Sequence, residues 1–406
     1  MIVSIIPSPC TLSVRETNQL SSKKSLLLLF QTSLRSHIRS RRENPERRSS
    51  KLLNPFDIVS PASSMDQDNW SNLHRDQQSR SSHMVIQGRW ELQKHLGNGS
   101  HGSVYAAKDL VDDRNCVCVK KANRPAVEHH LKQEYDIYAH LDRQRIMCIP
   151  RCYGLFKQTF HPPEQSQEQE YCWGEEQLPT VPSTDMYLVL ERLGSSFEDI
   201  ASTFPRRKIP LKAVIALAPR LLRVLRSIHD AGIIHRDIKP GQLLLGTAFQ
   251  EPTSYAEVHL VDFGLATPWL VDGRHIYPRK KPRGGTNHVG TAKYASLNIH
   301  HEKIATRRDD LESMAYVMIE MAQGGLPWTG VSAASSNVGW RTIGDMKEDL
   351  LYDLSPELPP EFSQLVEHAR SLGFAARPDY EGFIDLFEHR FRKLYGDDLY
   401  FSWRET

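Results

Sequence analysis

The fold of this chain is decided by two short stretches, HRDIKPGQ at residues 235–242 and DFG at residues 262–264. The first stretch places a carboxylate, an ammonium group and an amide within a few residues of one another. The second places an acidic residue after an apolar run that includes Leu260 and Val261, which is typical of a buried strand. DFG alone often occurs by chance, so its meaning depends on the motifs that precede it.

A glycine-rich loop precedes both stretches. Residues 97–102 read GNGSHG and lead into SVYAA at residues 103–107, a run typical of a β-strand. A dinucleotide-binding fingerprint would continue into a helix, and a Walker loop would end in Gly-Lys followed by Ser or Thr. Two interpretations remain: a plain hairpin turn, or a glycine flap whose backbone amides approach phosphate oxygens. In the second interpretation, the nucleotide-binding candidates are Gly97, Asn98, Gly99, Ser100, Gly102 and Val104.

A lysine follows the glycine-rich loop at the end of VCVK, residues 117–120. Taken alone, Lys120 could be an ordinary surface lysine. In a strand after a glycine flap, it would instead contact the α- and β-phosphates of a nucleotide, while Lys121 would point the other way, towards solvent. Glu134, on a predicted amphipathic helix, is then the expected partner that holds Lys120 in place.

Glycine flap, lysine, HRDIKPGQ and DFG occur in the order and spacing of eukaryotic protein kinases. Asp237 would accept or orient the proton of a hydroxyl group, Lys239 would neutralise the transferring phosphoryl group, and Asp262 would bind Mg²⁺ that bridges the phosphates. Phosphoryl transfer needs mainly alignment and positive charge, which these groups supply. A lysine two residues after the aspartate is the serine/threonine form, so the sequence predicts a serine/threonine kinase that uses ATP and Mg²⁺.

Hydrophobic periodicity predicts two differently built lobes. Strands are expected in residues 90–107, 114–121 and 186–191, and helices in residues 127–141, 211–229 and 310–322. Strands first and helices later predict an α+β fold with a small β-rich N-lobe and a larger helical C-lobe. We place the N-lobe at residues 85–193, with a surface loop insertion at residues 158–184, and the C-lobe at residues 194–403.

Residues 1–84 are rich in Ser, Arg and Gln and poor in periodic hydrophobic residues, which predicts a disordered basic tail. The same composition also fits an organelle-targeting segment. In the whole chain of 406 residues, the net charge of +2 gives no reason to expect nucleic acid as a partner. No apolar run reaches the roughly 20 residues of a membrane span. Six cysteines without a C-x-x-C pair suggest neither a zinc ribbon nor a disulfide framework. We therefore expect a monomer of the cytoplasm or nucleus.

Further motifs indicate which family of protein kinases the sequence resembles. GTAKYASLN at residues 290–298, RRDDLES at residues 307–313 and LPW at residues 326–328 stand where most kinases close the activation segment with Ala-Pro-Glu. These motifs resemble the casein kinase I family, as do LGSSFED at residues 193–199 and RPDY at residues 377–380. The resemblance covers roughly residues 90–403, without the insertion.

The resemblance implies further roles for single residues. Leu190 would be the gatekeeper, and Glu191 and Leu193 would contact adenine through the backbone. Cys118 would line the adenine pocket, although it also fits the description of a small core cysteine. Asp310 would brace the catalytic loop.

Two departures from the family pattern stand in the catalytic stretch. Gly241 replaces an Asp, and Gln242 replaces the Asn that binds a second Mg²⁺. Gln242 keeps an amide oxygen as a metal ligand but displaces it by on the order of 1 Å, and such a misplacement can cost about 100-fold in rate. The family also prefers acidic or already phosphorylated protein substrates. Lys293 preserves one anion-binding position, and a basic loop at residues 274–283 either adds to it or is a solvated run of charge.

Three functions are consistent with these residues. The first is an active protein serine/threonine kinase. The second is a pseudokinase, an ATP-binding scaffold with weak or no transfer, for which Gln242 is the only residue in favour. The third, a small-molecule kinase, is disfavoured because the motifs after residue 290 resemble the machinery that binds protein substrates.

Overall fold

The computed structural model of the chain describes residues 84–99, 102–112, 116–122, 127–160, 172–173, 176–177, 183–246, 257–271, 273–276, 288–349 and 357–396. The predicted tail up to residue 83 and Ser100 lie outside the described residues. So do most of the predicted insertion and most of the basic loop, including Arg279, Lys280, Lys281 and Arg283.

The smaller lobe contains an antiparallel sheet of six strands in the order β1-β2-β3-β4-β8-β5. The strands of this lobe are β1 (Val85–Ile86), β2 (Trp90–Gly99), β3 (Gly102–Asp109), β4 (Cys116–Lys121), β5 (Cys152–Phe160), β6 (Cys172–Trp173), β7 (Glu176–Gln177) and β8 (Ser183–Glu191). Helix α1 (Glu128–Arg143) lies between β4 and β5 in the chain and buries Leu131, Tyr138 and Leu141.

Alternation along β4 separates the two faces of the sheet. Val117 and Val119 are fully buried in a cluster that also contains Trp90 and Tyr105. Because successive side chains of a strand point to opposite faces, Lys120 must leave this apolar cluster and face α1. The alternation of residues along β4 therefore determines the face of the sheet on which Lys120 lies.

The insertion begins later and ends earlier than predicted. Strand β5 continues to Phe160 and β8 begins at Ser183, so residues 158–160 pair with residues 183–185 instead of forming a loop. Between them, β6 and β7 form a short antiparallel pair. Polar residues such as Gln158 and Thr159 concealed the strand ends, because a strand at the edge of a sheet tolerates polar side chains.

The larger lobe is mainly helical. Its helices are α2 (Phe197–Ser202), α3 (Leu211–Asp230), α4 (Leu297–His300), α5 (Arg307–Gln323), α6 (Ser336–Asp349), α7 (Glu361–Ser371) and α8 (Tyr380–Tyr395). Its short strands are β9 (Ile233–Ile234), β10 (Leu243–Leu245), β11 (Val258–Leu260), β12 (Thr267–Pro268), β13 (Leu270–Val271) and β14 (Arg274–His275).

Two helices form the centre of this lobe. The predicted stripe of α3, which includes Val214, Leu221 and Ile228, is buried. Helix α5 is buried on nearly all sides, as its unbroken apolar composition predicted. The chain thus has the predicted α+β architecture of a β-rich lobe followed by a helical lobe. None of the helices in the described ranges combines the length and hydropathy that a bilayer crossing requires.

Candidate active site

Pairing between β10 and β11 brings the two decisive stretches together. Strand β10 directly follows Gln242, β11 ends two residues before Asp262, and Leu243 pairs with Leu260. The backbone of Gln242 is held on both sides, since its N–H donates to Lys239 O (3.0 Å) and its carbonyl accepts from Val261 N (3.0 Å). A short antiparallel ladder therefore places the catalytic stretch beside DFG.

Three side chains donate hydrogen bonds to Asp237, among them Gln242 through Nε2 (3.3 Å to Oδ2). Lys239 Nζ donates to Oδ2 at 2.8 Å, and Thr291 Oγ1 donates to Oδ1 at 2.7 Å. Neither the contact of Lys239 nor that of Thr291 with Asp237 was predicted from the sequence, although these residues lie in the HRDIKPGQ and GTAKYASLN motifs. Thr291 connects the activation segment to the carboxylate that would meet the substrate hydroxyl.

Asp310, on α5, holds the catalytic loop from behind. Its carboxylate accepts from the backbone N–H groups of His235 (2.6 Å) and Arg236 (2.8 Å), and it lies 3.0 Å from His229 Nε2. Burial alone would raise the pKa of this carboxyl, but the neighbouring histidines and N–H groups lower it below its usual value. An ionised, buried Asp310 agrees with the bracing role that the resemblance implied.

Lys120 joins the two lobes. Its Nζ lies 2.7 Å from Glu134 Oε2 on α1 and 2.7 Å from Asp262 Oδ1. Burial would lower the pKa of Lys120, but the two carboxylates raise it. Burial raises the pKa of Glu134 to about 7 against the effect of Lys120. For Asp262, Lys120 outweighs burial and lowers the pKa well below its usual range. The predicted charge pair is thus present, with Asp262 as a third member.

Asp262 has a left-handed backbone conformation, with φ 64° and ψ 67°. Few residues other than glycine have a positive φ, and Asp is one of the types that adopt this conformation more readily than most. Its N–H donates to Tyr138 OH (3.2 Å). DFG is therefore bound to α1 as well as to β4.

The neighbours of Lys120 on β4 follow the predicted alternation. Lys121 points away from Glu134 and lies 3.6 Å from Asp185 Oδ2. Cys118 shares the face of Lys120 and pairs with Ala106 on one side and Leu190, the predicted gatekeeper, on the other. Burial raises the pKa of the Cys118 thiol to about 11, so the thiol is protonated at neutral pH.

The glycine-rich stretch is a turn between β2 and β3. Gly97 pairs with Val104, and Gly99 pairs with Gly102. A Cβ atom on Gly102 would lie 2.2 Å from the carbonyl oxygen of Lys121, so only glycine allows β3 to approach β4 this closely. Asn98 accepts a hydrogen bond from Ser103 Oγ (2.8 Å) through its side-chain oxygen. Ser100 lies outside the described residues.

The connection between the lobes begins at Glu191. The N–H of Glu191 donates to Arg151 O (2.8 Å), and that of Arg192 donates to Cys116 O (3.3 Å). For Leu193, the described part of the chain shows no hydrogen bond to the backbone N–H or carbonyl. Of the two residues that the resemblance predicts to contact adenine, Glu191 thus has its N–H bonded within the chain.

Gln242 lies at the centre of the site in an orientation that the sequence did not indicate. Its Nε2 lies 3.1 Å from Asp262 Oδ2 and 3.3 Å from Asp237 Oδ2. Its Oε1 is buried and has no hydrogen-bond partner among the described residues. The amide nitrogen thus faces the two carboxylates, whereas a Mg²⁺ ligand would have to present the oxygen.

The described residues fit a nucleotide-bound Mg²⁺ at Asp262. A carboxylate is a suitable ligand, and the side chain of Asp262 remains 32% exposed. No cluster of three or more His, Cys, Asp and Glu side chains in the described ranges could hold a metal by itself. A magnesium ion here would have to share its coordination with phosphate oxygens, which is how kinases hold it.

Lys293, the predicted anion-binding residue, is paired within the chain. Its Nζ donates to Glu320 Oε1 on α5, with the two side chains 27% and 14% exposed. Its backbone carbonyl accepts from Trp328 Nε1 (2.7 Å), which fixes the activation segment against the LPW motif. Lys293 therefore already has a carboxylate partner within the chain.

Comparisons with known proteins agree with this geometry. The family model described as protein kinase domain matches residues 90–390. Casein kinase I homolog RAG8 of Kluyveromyces lactis is 31% identical over 76% of this chain and 52% of its own length. Casein kinase I homolog 2 of Saccharomyces cerevisiae is 31% identical over 78% of this chain and 52% of its own length.

The chain belongs to the casein kinase I family of protein kinases. Casein kinase I homolog 1 of Schizosaccharomyces pombe is a further relative, 30% identical over 79% of this chain and 65% of its own length. The chain thus spans between half and two thirds of the length of these three relatives.

Proposed function

We propose that this chain is a protein serine/threonine kinase that transfers the γ-phosphate of ATP to protein hydroxyl groups. The observation that carries the proposal is the continuous set of contacts from Glu134 through Lys120 to Asp262, and from there through Gln242 to Asp237. These contacts connect the lysine for the nucleotide to the carboxylate for the substrate. A scaffold that only binds nucleotide would not need the second half of this set.

The reaction is assigned to the chain's own groups as follows. Asp237 orients the substrate hydroxyl and accepts its proton, and Thr291 keeps one carboxylate oxygen in place. Lys239, beside Asp237, stabilises the charge that develops on the transferring phosphoryl group. Lys120 holds the α- and β-phosphates. Mg²⁺, when bound at Asp262, neutralises phosphate oxygens.

We further propose that the preferred substrates are acidic or already phosphorylated proteins. Support comes from membership of the family and from Lys293, which lies two residues after Thr291 in the activation segment. Glu320 already occupies Lys293, so an acidic group on the substrate has to displace a carboxylate. We therefore expect this preference to be weaker than an unpaired lysine would give.

The activity is tested by measuring transfer of labelled γ-phosphate to an acidic, serine-containing protein in the presence of Mg²⁺. Lys120→Met should reduce transfer by about 100-fold or more, because it removes a preorganised charge. Lys121→Met is the matched control from the opposite face of β4 and should retain transfer. Equal rates in the two variants would contradict the assignment of Lys120.

Asp237→Asn separates transfer from binding. This variant should lose transfer while a fluorescent ATP analogue still binds, because Asp237 acts on the hydroxyl and not on the nucleotide. The alternative function, an ATP-binding scaffold, is favoured by one observation, the unusual orientation of Gln242. Nucleotide binding without transfer in the intact chain would support that alternative.

A further inference from the structure

Gln242 stands where most kinases have the Asn that binds a second Mg²⁺. In this chain, the side chain is only 4% exposed and its amide lies between two carboxylates. The Nε2 contacts are 3.1 Å to Asp262 Oδ2 and 3.3 Å to Asp237 Oδ2, and Oε1 has no partner among the described residues. The group that would replace Asn as a metal ligand therefore turns its oxygen away from the carboxylates.

The chemistry of the neighbours sets this orientation. An amide has two N–H donors on nitrogen and only acceptor lone pairs on oxygen. Exchanging the two atoms would place Oε1 against two carboxylate oxygens, where like partial charges repel. Nitrogen towards Asp237 and Asp262 is thus the favourable arrangement, even though it leaves the buried oxygen without a donor.

Two hydrogen bonds hold the backbone of Gln242, so the backbone is not free to move the amide to where the amide of a shorter Asn side chain would lie. Its N–H is bonded to Lys239 O and its carbonyl to Val261 N, each at 3.0 Å. With both sides of the residue held, the extra methylene of Gln must carry the amide further into the space between the carboxylates. A shorter Asn side chain would leave that space open.

The amide also reduces the repulsion between the two carboxylates, as a bound cation would. Two carboxylates close together repel each other, and a positive group between them removes the repulsion. Here Lys239 lies on Asp237 (2.8 Å), Lys120 lies on Asp262 (2.7 Å), and the Gln242 amide donates to both. Each carboxylate therefore already has an ammonium partner and an N–H donor.

We propose that the Gln242 amide takes the place of the second divalent cation, so that the nucleotide complex of this chain contains one Mg²⁺, held by Asp262. This inference rests on the proposed function, because it concerns the ATP-bound kinase. It replaces the expectation from the sequence that Gln242 supplies a metal oxygen. Asp262 keeps the role of metal ligand.

The number of bound cations tests the inference directly. Mn²⁺, which replaces Mg²⁺ and has an electron paramagnetic resonance signal, is titrated into the full chain saturated with a non-hydrolysable ATP analogue. The native chain should bind one Mn²⁺, and Gln242→Asn should bind two. Two Mn²⁺ in the native chain, or one in both proteins, would overturn the inference.

A second variant keeps the test decisive if Gln242→Asn does not fold. Gln242→Glu introduces a carboxylate oxygen at the same length and should also bind a second Mn²⁺, whether or not Gln242→Asn folds. Thermal unfolding of each variant shows which of them are folded. A folded Gln242→Glu that binds only one Mn²⁺ would contradict the proposed role of the amide.

Failure of the inference and failure of the proposed function give different results. Phosphate transfer by a native chain that binds two Mn²⁺ overturns the inference alone. A native chain that binds neither the ATP analogue nor Mn²⁺ and transfers no phosphate overturns the proposed function and the inference together.

Discussion

Nζ of Lys347 lies 3.1 Å from Nε2 of His300, and both side chains are behind the activation segment. The same Nζ donates to the backbone carbonyls of Ala292 (2.9 Å) and Ala295 (2.6 Å). An ammonium group has three donors, and all three have acceptors here. Lys347 is 1% exposed, so α6 supplies a buried lysine that holds the segment carrying Lys293.

We first predict that Lys347→Met destabilises the fold. Burial lowers the pKa of Lys347 well below its usual value, although Glu312 opposes the shift. Its Nζ also lies over the rings of Tyr316 (4.8 Å to the centroid) and Trp328 (4.9 Å). Methionine fills the space but removes the Nζ donor from two buried carbonyls, which costs about 1–3 kcal/mol for each. Urea unfolding should therefore show a loss of about 2–6 kcal/mol.

The control for this substitution is Lys393→Met, at an exposed position of α8. A surface substitution of this kind usually changes stability by about 0.5 kcal/mol or less. A Lys347→Met protein as stable as the Lys393→Met protein would show that the hydrogen bonds of Lys347 contribute nothing net.

A second prediction concerns acid stability. Burial, with Lys347 as the next cause and His288 as a weaker one, lowers the pKa of His300 to about 3. The unfolded chain binds a proton at His300 below about pH 6.5, whereas the folded chain does not. Stability from this group is thus fully present above pH 6.5 and is lost as the pH falls towards 3, by at most about 1.4 kcal/mol per pH unit.

His300→Gln should reduce this pH dependence. Between pH 6.5 and 4.5, the melting temperature of the native chain should fall more steeply than that of the variant. His389→Gln, at an exposed position on α8, should keep the native slope. Parallel curves for the native chain and His300→Gln would refute the prediction.

A third prediction compares two glycines. Gly290 and Gly330 have similar positive φ angles, 85° and 81°. A Cβ atom on Gly290 would lie 2.4 Å from Arg236 O in the catalytic loop, whereas one on Gly330 would meet nothing within 4 Å. Both Ala variants should lose about 1 kcal/mol from the left-handed conformation.

Gly290→Ala should lose more than Gly330→Ala in urea unfolding, because the catalytic loop must move. Its kcat should also fall, since Arg236 precedes Asp237. The comparison isolates the contact, because both glycines have a similar positive φ. Equal losses of stability and activity would mean that the loop accommodates the extra carbon.

A fourth prediction follows from the pairing of Lys293 with Glu320 and rests on the proposed kinase activity. Glu320→Gln removes the competing carboxylate, so KM for an acidic peptide should fall. A partly exposed ion pair is worth about 1 kcal/mol or less, which corresponds to a change of up to about fivefold. KM for a neutral peptide should not change.

Glu367→Gln, at an exposed position of α7, is the matched control. Lys293→Ala should remove the difference between acidic and neutral peptides. If Glu320→Gln changes KM for both peptides equally, Glu320 acts on the fold of the activation segment and not on substrate choice.

Sequence patterns predicted those features that depend on residues close together in the chain. Alternation in β4 predicted that Lys120 and Lys121 face opposite sides, because the period of a strand is two. The family motifs carried the roles of Asp262 and Asp310. The ends of the strands around the insertion were missed, because polar edge residues hide the pattern.

The tertiary structure decided the features that join distant elements. The availability of the Lys293 ammonium group depends on its pairing with Glu320, 27 residues further along the chain. The hydrogen bonds from Lys347 to the activation segment depend on how α6 packs. The amide of Gln242 had two chemically different ends, and its orientation was decided by two carboxylates from separate loops. Residue identity limits the bonds a side chain can make, but the choice among them depends on which groups packing brings within hydrogen-bond distance.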